Sequence, residues 1–115
     1  MAYKSKEDQK AASRRHYQKN RSSIIARSKE RNKAQRIRNR AFIARVKSFL
    51  SCVDCGESDP RVLDFDHVRG VKKNNVSDMA SGAYSISRIK KEIRKCEVRC
   101  ANCHRKATNQ RRENS

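Results

Sequence analysis

Three side chains of this sequence have the types that hydrolysis of a phosphodiester requires. Asp66 and His67 are neighbours, and His104 lies 38 positions after Asp66. Phosphodiester cleavage needs a divalent cation to neutralise charge on the phosphate and a base to activate water. The ordinary histidine pKa of about 6.5 leaves much of the ring neutral at physiological pH, which suits a base. We interpret the three residues as a hydrolytic set rather than a surface pair and a lone histidine, because a cysteine motif directly precedes His104.

Four cysteines form two pairs with a two-residue spacing: Cys52 with Cys55, and Cys100 with Cys103. Two such pairs can complete an all-thiolate tetrahedral site, and soft thiolates select zinc. The odd total of five cysteines favours a metal site plus a spare thiol, Cys96, over disulfides, and indicates a reducing compartment. Four protein ligands leave no open position, so we expect a structural Zn²⁺ that draws the two ends of the hydrolytic set together.

A long helix is predicted before the cysteines, since the first Gly is Gly56 and residues 1–48 are rich in helix-forming residues. Its apolar residues recur at steps of three and four, and we expect this face to pack on the zinc core. The residues on this face are Ile37, Ala41, Phe42, Val46, Phe49 and Leu50.

The remaining elements are short. Ser85 or Ser87 is expected to cap a helix in which Ile86, Ile89 and Ile93 share a buried face. In chain order the prediction is a helix to residue 48, a cysteine knuckle, a strand at 62–67, a loop at 71–84, a helix ending near 95, a strand at 96–99 and a helix at 100–109.

The net charge of +18 indicates a polyanionic partner. Residues 1–48 hold 16 of the 30 lysines and arginines but only 3 of the 12 acidic residues. We interpret this segment as an arm that contacts nucleic-acid phosphates; the alternative is a solvated or disordered basic tail. For Arg105 and Lys106 two predictions stand side by side: either they contact phosphates, or they are solvent-exposed charges without a partner role. The arginines assigned to phosphate contacts in the arm are Arg14, Arg15, Arg21, Arg27, Arg31, Arg36, Arg38 and Arg40.

Length and hydropathy bound the class of protein. A chain of 115 residues with 35% apolar and 5% aromatic residues has room for one domain and a small core. Residues 1–18 are charged throughout and lack the apolar run of a signal peptide, and no stretch could span a bilayer. We therefore expect no membrane association and a cytoplasmic protein, in the host cytoplasm if the gene is a phage gene.

Three segments together resemble the zinc-containing, phage-type branch of the HNH endonucleases. They are the Cys52–Cys55 pair, the run from Leu63 through Asp66 and His67 to Gly70, and the run from Lys95 to Arg105. The resemblance covers roughly residues 45–112 and implies an α+β, ββα-metal (HNH) fold. It implies that Asp66 and His104 bind Mg²⁺, Mn²⁺ or a similar divalent ion and that His67 is the general base. The domains are then a basic helical arm at 1–44, a nuclease domain at 45–112 and a tail at 113–115.

Two positions depart from the family pattern. Lys95 stands where the family has the asparagine of its name, so the hydrogen bond that braces the catalytic loop must come from Asn74, Asn75 or a backbone group. Ala107 stands where a lysine is usual. The departure at Lys95 bears on catalytic geometry more than on fold.

The predicted function is metal-dependent cleavage of duplex DNA with little sequence preference, since the arm and last helix offer mainly phosphate contacts. A phage terminase is a candidate partner. The alternative is a non-catalytic zinc module that binds nucleic acid, with Lys95 as the mark of lost activity. Cleavage of RNA is disfavoured because stacking aromatics are few. The target sequence, the ion used in vivo, nicking against double-strand cutting, and a monomer against a dimer stay open.

Overall fold

The computed structural model describes residues 5–114 and is α+β, as predicted. The described chain divides into two compact units, one ending at Lys33 and the other starting at Ala34. The first helix, α1, is Lys6–Ser48. The second unit therefore takes in residues 34–44, which the sequence analysis assigned to the arm. Among the described residues, no helix is long and apolar enough to cross a membrane.

The first unit is the early part of α1, and its local sequence explains where the helix begins. The Ser5 hydroxyl accepts a hydrogen bond from the backbone amide of Asp8 at 3.2 Å, which satisfies one of the free amides of the first turn. Glu7 and Asp8 add negative charge at this positive end of the helix dipole. The long N-terminal helix is therefore confirmed.

The second unit contains a two-stranded antiparallel sheet, called the hairpin below although two helices separate its strands in sequence, and this sheet is followed by a helix. Strand β1 (Leu63–His67) pairs with β2 (Cys96–Cys100), and His67 lies opposite Cys96 in the register. Helix α4 (Ala101–Glu113) continues directly from β2. Side chains alternate between the faces of the hairpin, so Asp64 and Asp66 share one face while His67 points to the other.

Two small clusters of buried residues form the core of this unit. One lies between the end of α1, α2 (Val76–Ser81) and α3 (Ile86–Ile93), and the other surrounds the cysteines and the hairpin. Ser85 caps α3 by accepting from the Arg88 amide at 3.3 Å, which confirms the predicted cap. The first cluster contains Ile43, Val76, Met79, Ala80 and Ile89, and the second contains Cys52, Leu63, Val98 and Cys100.

The predicted buried face of α1 was wrong in part: Phe42 packs against the α2–α3 cluster and Val46 is half-buried, but other residues of the face are exposed. Ile37 is 57% exposed and Phe49 is 79% exposed, whereas Asn39 and Ile43 are buried. The Asn39 amide donates to the carbonyl oxygens of Tyr84 at 2.9 Å and Gly82 at 3.2 Å. These bonds and the contact of Ile43 with the α2–α3 cluster set the rotation of the helix, so it packs there and not on the cysteines.

The predicted loop at 71–84 was also wrong in part, because it contains α2. Val76, Met79 and Ala80 are buried and give this six-residue helix its apolar face. Asn75 precedes the helix, but its side chain makes no capping bond. Tertiary packing therefore stabilises α2, and the local signals that sequence analysis depends on are weak here.

Candidate functional site

The four paired cysteines come together as predicted. The sulfurs of Cys52, Cys55, Cys100 and Cys103 all lie within 4.8 Å of one another. The Sγ atoms of Cys55 and Cys100 are 3.7 Å apart. A tetrahedral zinc with Zn–S bonds of about 2.3 Å requires sulfurs about 3.8 Å apart, so the quartet fits the ion. Among residues 5–114, it is the one group of three or more such side chains close enough to hold a metal.

Backbone hydrogen bonds hold the first cysteine pair in a tight turn. The Gly56 amide donates to the Cys52 carbonyl at 2.9 Å, and Gly56 has a φ of 79°, a left-handed conformation that suits glycine. The Val53 amide donates to the Val98 carbonyl at 2.9 Å, which fixes the turn to β2. The knuckle is thereby part of the same assembly as the hairpin.

The second pair occupies the junction of β2 and α4. Cys100 is the N-cap of α4, and its sulfur accepts from the Cys103 amide at 3.5 Å. Contact with the Cys100 sulfur, together with burial, raises the pKa of Cys103 to about 12. Burial opposes ionisation of Cys52, but hydrogen bonds from the backbone around it lower its pKa to about 6. Four thiolates at these distances require a cation, which is the chemistry of a structural zinc site.

Cys96 stands outside the quartet. Its thiol donates to the Glu92 carbonyl at 3.3 Å, and burial raises its pKa to about 11. The group of four cysteines whose sulfurs lie within 4.8 Å of one another does not include it. Its place outside the quartet agrees with the interpretation as a spare thiol, and its role in metal binding stays a prediction.

Asp66 and His104 are brought together between the hairpin and α4. The distance from His104 Nε2 to Asp66 Oδ1 is 3.4 Å, and His104 Nδ1 lies 3.2 Å from Asp64 Oδ2. If Nδ1 donates to Asp64, the Nε2 lone pair faces a carboxylate oxygen, an arrangement that either a proton or a metal ion between them would stabilise. Neighbouring ligands on an octahedral ion with bonds of about 2.1 Å are about 3 Å apart, so these two atoms fit as two ligands of a divalent ion.

Two arginines balance the negative charge of the Asp66 carboxylate, and this residue is 3% exposed. Arg111 donates to both of its oxygens, at 3.0 and 2.7 Å, and Arg99 donates to Oδ2 at 2.7 Å. Although burial opposes ionisation, Arg111, His104 and Arg99 together lower the pKa of Asp66. The carboxylate is therefore ionised at neutral pH and charge-balanced by the chain itself.

Arg99 connects this carboxylate to the cysteine knuckle. Its Nε donates to Asp54 at 2.8 Å, its Nη1 to Asp66 at 2.7 Å, and its Nη2 lies 2.8 Å from Glu97. Asp54 sits between the first two cysteines, and the Arg99 side chain is only 13% exposed. One partly buried guanidinium therefore links the cysteine knuckle to Asp66.

His67 is not brought to the other two residues of the predicted set. Its side chain, 12% exposed, lies on the opposite face of β1, where Nε2 is 2.9 Å from Oε1 of Glu92. Glu92 is on α3 and is 3% exposed. Alternation along a strand requires that adjacent residues point to opposite faces, so Asp66 and His67 diverge. Because β1 ends at His67, the imidazole lies at the end of the hairpin.

Of the three expected sources of the brace (Asn74, Asn75 or a backbone group), backbone groups supply it: the Lys95 carbonyl accepts from the amides of Val68 and Arg69. Lys95 donates from Nζ to the Val71 carbonyl at 2.7 Å and to Glu92 Oε2 at 3.1 Å. The Asn75 amide instead donates to Asp78 at 3.1 Å. The residue that departs from the family pattern thus itself holds the loop after β1.

The basic residues assigned to nucleic acid lie at the surface. In the first unit and along the rest of α1, all eight arginines are exposed except Arg36, which is half-buried. In the second unit, Arg105 and Lys106 are exposed on α4. Arg105 lines an open cavity of about 430 Å³ together with Asp64 and His104. The contacts of all these residues with phosphate stay predictions.

Sequence reasoning missed Glu92, Arg99 and Arg111. Arg111 could have been found, because it follows His104 by seven residues and two helical turns place both on one face.

A cavity of about 410 Å³ between α3 and the loop after β1 was also not predicted from the sequence. The cationic residues lining that cavity are Lys73, Arg88, Lys91, Arg94 and Lys95.

Comparison with known protein families, curated proteins and solved structures finds no match to this chain.

Proposed function

We propose that the chain is a metal-dependent DNA endonuclease of the HNH type. The observation that carries the proposal is the approach of His104 Nε2 to Asp66 Oδ1, at 3.4 Å, on a hairpin followed by a helix. A carboxylate oxygen and an imidazole nitrogen at this separation suit a divalent ion that takes its remaining ligands from water and phosphate. The bound ion would neutralise charge on the scissile phosphate and the leaving oxygen.

The residues around the pair have matching roles in this proposal. Asp64, at 3.2 Å from Nδ1, keeps that nitrogen protonated and leaves Nε2 free to act as a ligand. Arg105 lines the same cavity, and in this proposal its guanidinium contacts a phosphate there. The general base of the proposal is His67, which lies on the face of β1 opposite to the pair and would act on a water beyond the end of the strand.

The proposed partner is the DNA backbone. The net charge of +18 and the exposed arginines of α1 support many phosphate contacts and few contacts with bases. A terminase partner and a cytoplasmic location stay part of the proposal through the family resemblance alone.

A second candidate is a zinc-containing nucleic-acid-binding module without catalysis. Two observations favour it: Asp66 is already neutralised by Arg99 and Arg111, and His67 is engaged by Glu92 on the opposite face. This candidate predicts salt-sensitive DNA binding without strand breaks.

Plasmid cleavage separates the two candidates. Zinc-loaded full-length protein is incubated with supercoiled plasmid and Mg²⁺ or Mn²⁺, beside the His104→Ala, His67→Ala and His16→Ala variants. His16, exposed on α1, is the matched control. The endonuclease predicts nicked or linear product, a loss of roughly 100-fold or more in His104→Ala and His67→Ala, and no loss in His16→Ala at saturating DNA. Binding without cleavage under every ion would leave only the second candidate.

The phosphate contacts of the arm are tested by the dependence of affinity on salt. Replacing Arg14, Arg15 and Arg21 by glutamine should lower the slope of log Kd against log salt by about 0.9 for every phosphate that the variant no longer neutralises. An unchanged slope would mean that these arginines do not contact DNA.

A further inference from the structure

Glu92 is a buried acidic residue that the proposed mechanism does not use. Its carboxylate, 3% exposed, accepts from the Lys73 amide at 3.0 Å and the Asn74 amide at 3.5 Å, both in the loop after β1. The Lys95 ammonium lies 3.1 Å from its second oxygen. Its remaining contact is with His67 Nε2 at 2.9 Å. One side chain therefore joins the loop, α3 and the imidazole.

The protonation state of Glu92 decides which nitrogen of His67 carries the proton. Although burial opposes ionisation, hydrogen bonds from the Lys73 amide, Lys95 and His67 lower the pKa of Glu92 to about 2. At neutral pH the group is a carboxylate, which can only accept hydrogen bonds. The Nε2 of His67 must then donate, and in the neutral ring Nδ1 keeps the lone pair.

Lys95 holds this arrangement in place from two sides. Its carbonyl accepts from the amides of Val68 at 2.9 Å and Arg69 at 3.1 Å, the two residues that follow His67. Its ammonium donates to the Val71 carbonyl at 2.7 Å as well as to Glu92. The chain leaving β1 is thus fixed to residue 95 through both main chain and side chain.

We propose that Glu92 is the positioning residue of His67: it fixes the tautomer that carries the proton on Nε2 and leaves Nδ1 as the basic nitrogen. Lys95 keeps Glu92 and the loop in register and performs the bracing that an asparagine performs in the related family. The assignment of Nδ1 as a base rests on the proposed function, whereas the tautomer and its cause do not.

The tautomer is measured directly by NMR on the zinc-loaded full chain labelled with ¹⁵N-histidine. Long-range ¹H–¹⁵N correlations distinguish the two tautomers, and His67→Ala assigns the signals. Wild type is expected to show His67 protonated on Nε2 at neutral pH. Glu92→Gln, which can donate as well as accept, should lose this preference, and Glu113→Gln, an exposed control, should keep it. Protonation of wild-type His67 on Nδ1 would overturn the proposal without any variant.

Cleavage kinetics test the consequence for catalysis. At saturating DNA and Mn²⁺, Glu92→Gln should lower kcat roughly 10- to 100-fold with little change in KM or zinc content, and Lys95→Met should lower kcat by less. Glu113→Gln should leave kcat unchanged. An active wild type with an equally active, zinc-loaded Glu92→Gln variant contradicts the positioning role. A wild type that never cleaves contradicts the proposed function, and the NMR result then decides on Glu92 separately.

Discussion

The cysteine quartet and the Asp66–His104 pair differ in the source of the positive charge that balances their anionic groups. The contacts described for the four sulfurs are with one another and with backbone groups, so ionised thiolates there need an external cation. Asp66 has Arg99 and Arg111 within 2.7 Å and is balanced by the chain. From this difference we expect that a metal at the quartet stabilises the fold, whereas the charge of Asp66 is balanced without one.

The largest effect is expected from breaking the quartet. Cys100→Ser, or treatment with a strong chelator, should abolish cooperative unfolding, because structural zinc binding contributes roughly 10 kcal/mol or more, as much as the total stability of a small domain. Circular dichroism during thermal melting, with elemental analysis for zinc, measures this. A Cys100→Ser protein that melts cooperatively without zinc would remove the contrast between the two regions.

A smaller loss of stability is expected when the negative charge of Asp66 is removed by mutation. Asp66→Asn removes the carboxylate that Arg99 and Arg111 share. Arg99 keeps Asp54 and Glu97 as counter-charges and the Arg111 side chain is 48% exposed, so we expect a loss of about 2 kcal/mol, that of hydrogen bonds to a charged group. Urea unfolding of zinc-loaded protein without Mg²⁺ or Mn²⁺ measures the change, with Asp78→Asn as the exposed control. Equal stability of Asp66→Asn and wild type would show that the arginines do not depend on this carboxylate.

The negative charge of Glu92 is also balanced by groups of the chain, and this stabilisation should be lost in acid. Its pKa is lowered from an ordinary 4.5 to about 2, so the native state binds fewer protons than the unfolded state in this window. The stabilisation is complete above pH 4.5 and is lost as the pH falls towards 2. The free energy of unfolding of wild type should therefore fall more steeply over this range than that of Glu92→Gln. Since acid also releases zinc from both proteins, the difference between the two curves is the quantity to compare, and parallel curves would contradict the prediction.

The smallest effect is expected at Cys96, the matched control for the quartet. Cys96→Ser should change the free energy of unfolding by about 1 kcal/mol and leave one zinc bound per chain, because this thiol bonds only a carbonyl. Loss of zinc in Cys96→Ser would mean that Cys96 competes for the metal.

The features that sequence predicted are those with local signals. The two cysteine pairs, the Ser85 cap and the long helix each depend on residues within a few positions of one another, and all are present. The shared face of Asp64 and Asp66 also follows from strand alternation. The same alternation separates His67 from Asp66, a consequence that treating all three residues as one set overlooked.

The features that sequence did not predict depend on contacts between distant segments. Glu92 meets His67 across 25 positions, and Arg111 meets Asp66 across 45. Such pairs are decided by the strand register and by the packing of α2 and α3, which a single sequence does not reveal. The rotation of α1 depends in the same way on Asn39 reaching carbonyls more than 40 positions away.

The partly buried position of Arg99 has a practical consequence for handling the protein. Concentrated salt screens exposed charges strongly and enclosed ones weakly, with a Debye length of about 3 Å at 1 M. A wash with about 1 M NaCl should therefore strip bound nucleic acid from the arginine-rich helix while the ion pair between Arg99 and the buried Asp66 persists. Salt can therefore be used to remove nucleic acid during purification. Chelators must be avoided, because they would remove the zinc that we expect to stabilise the fold.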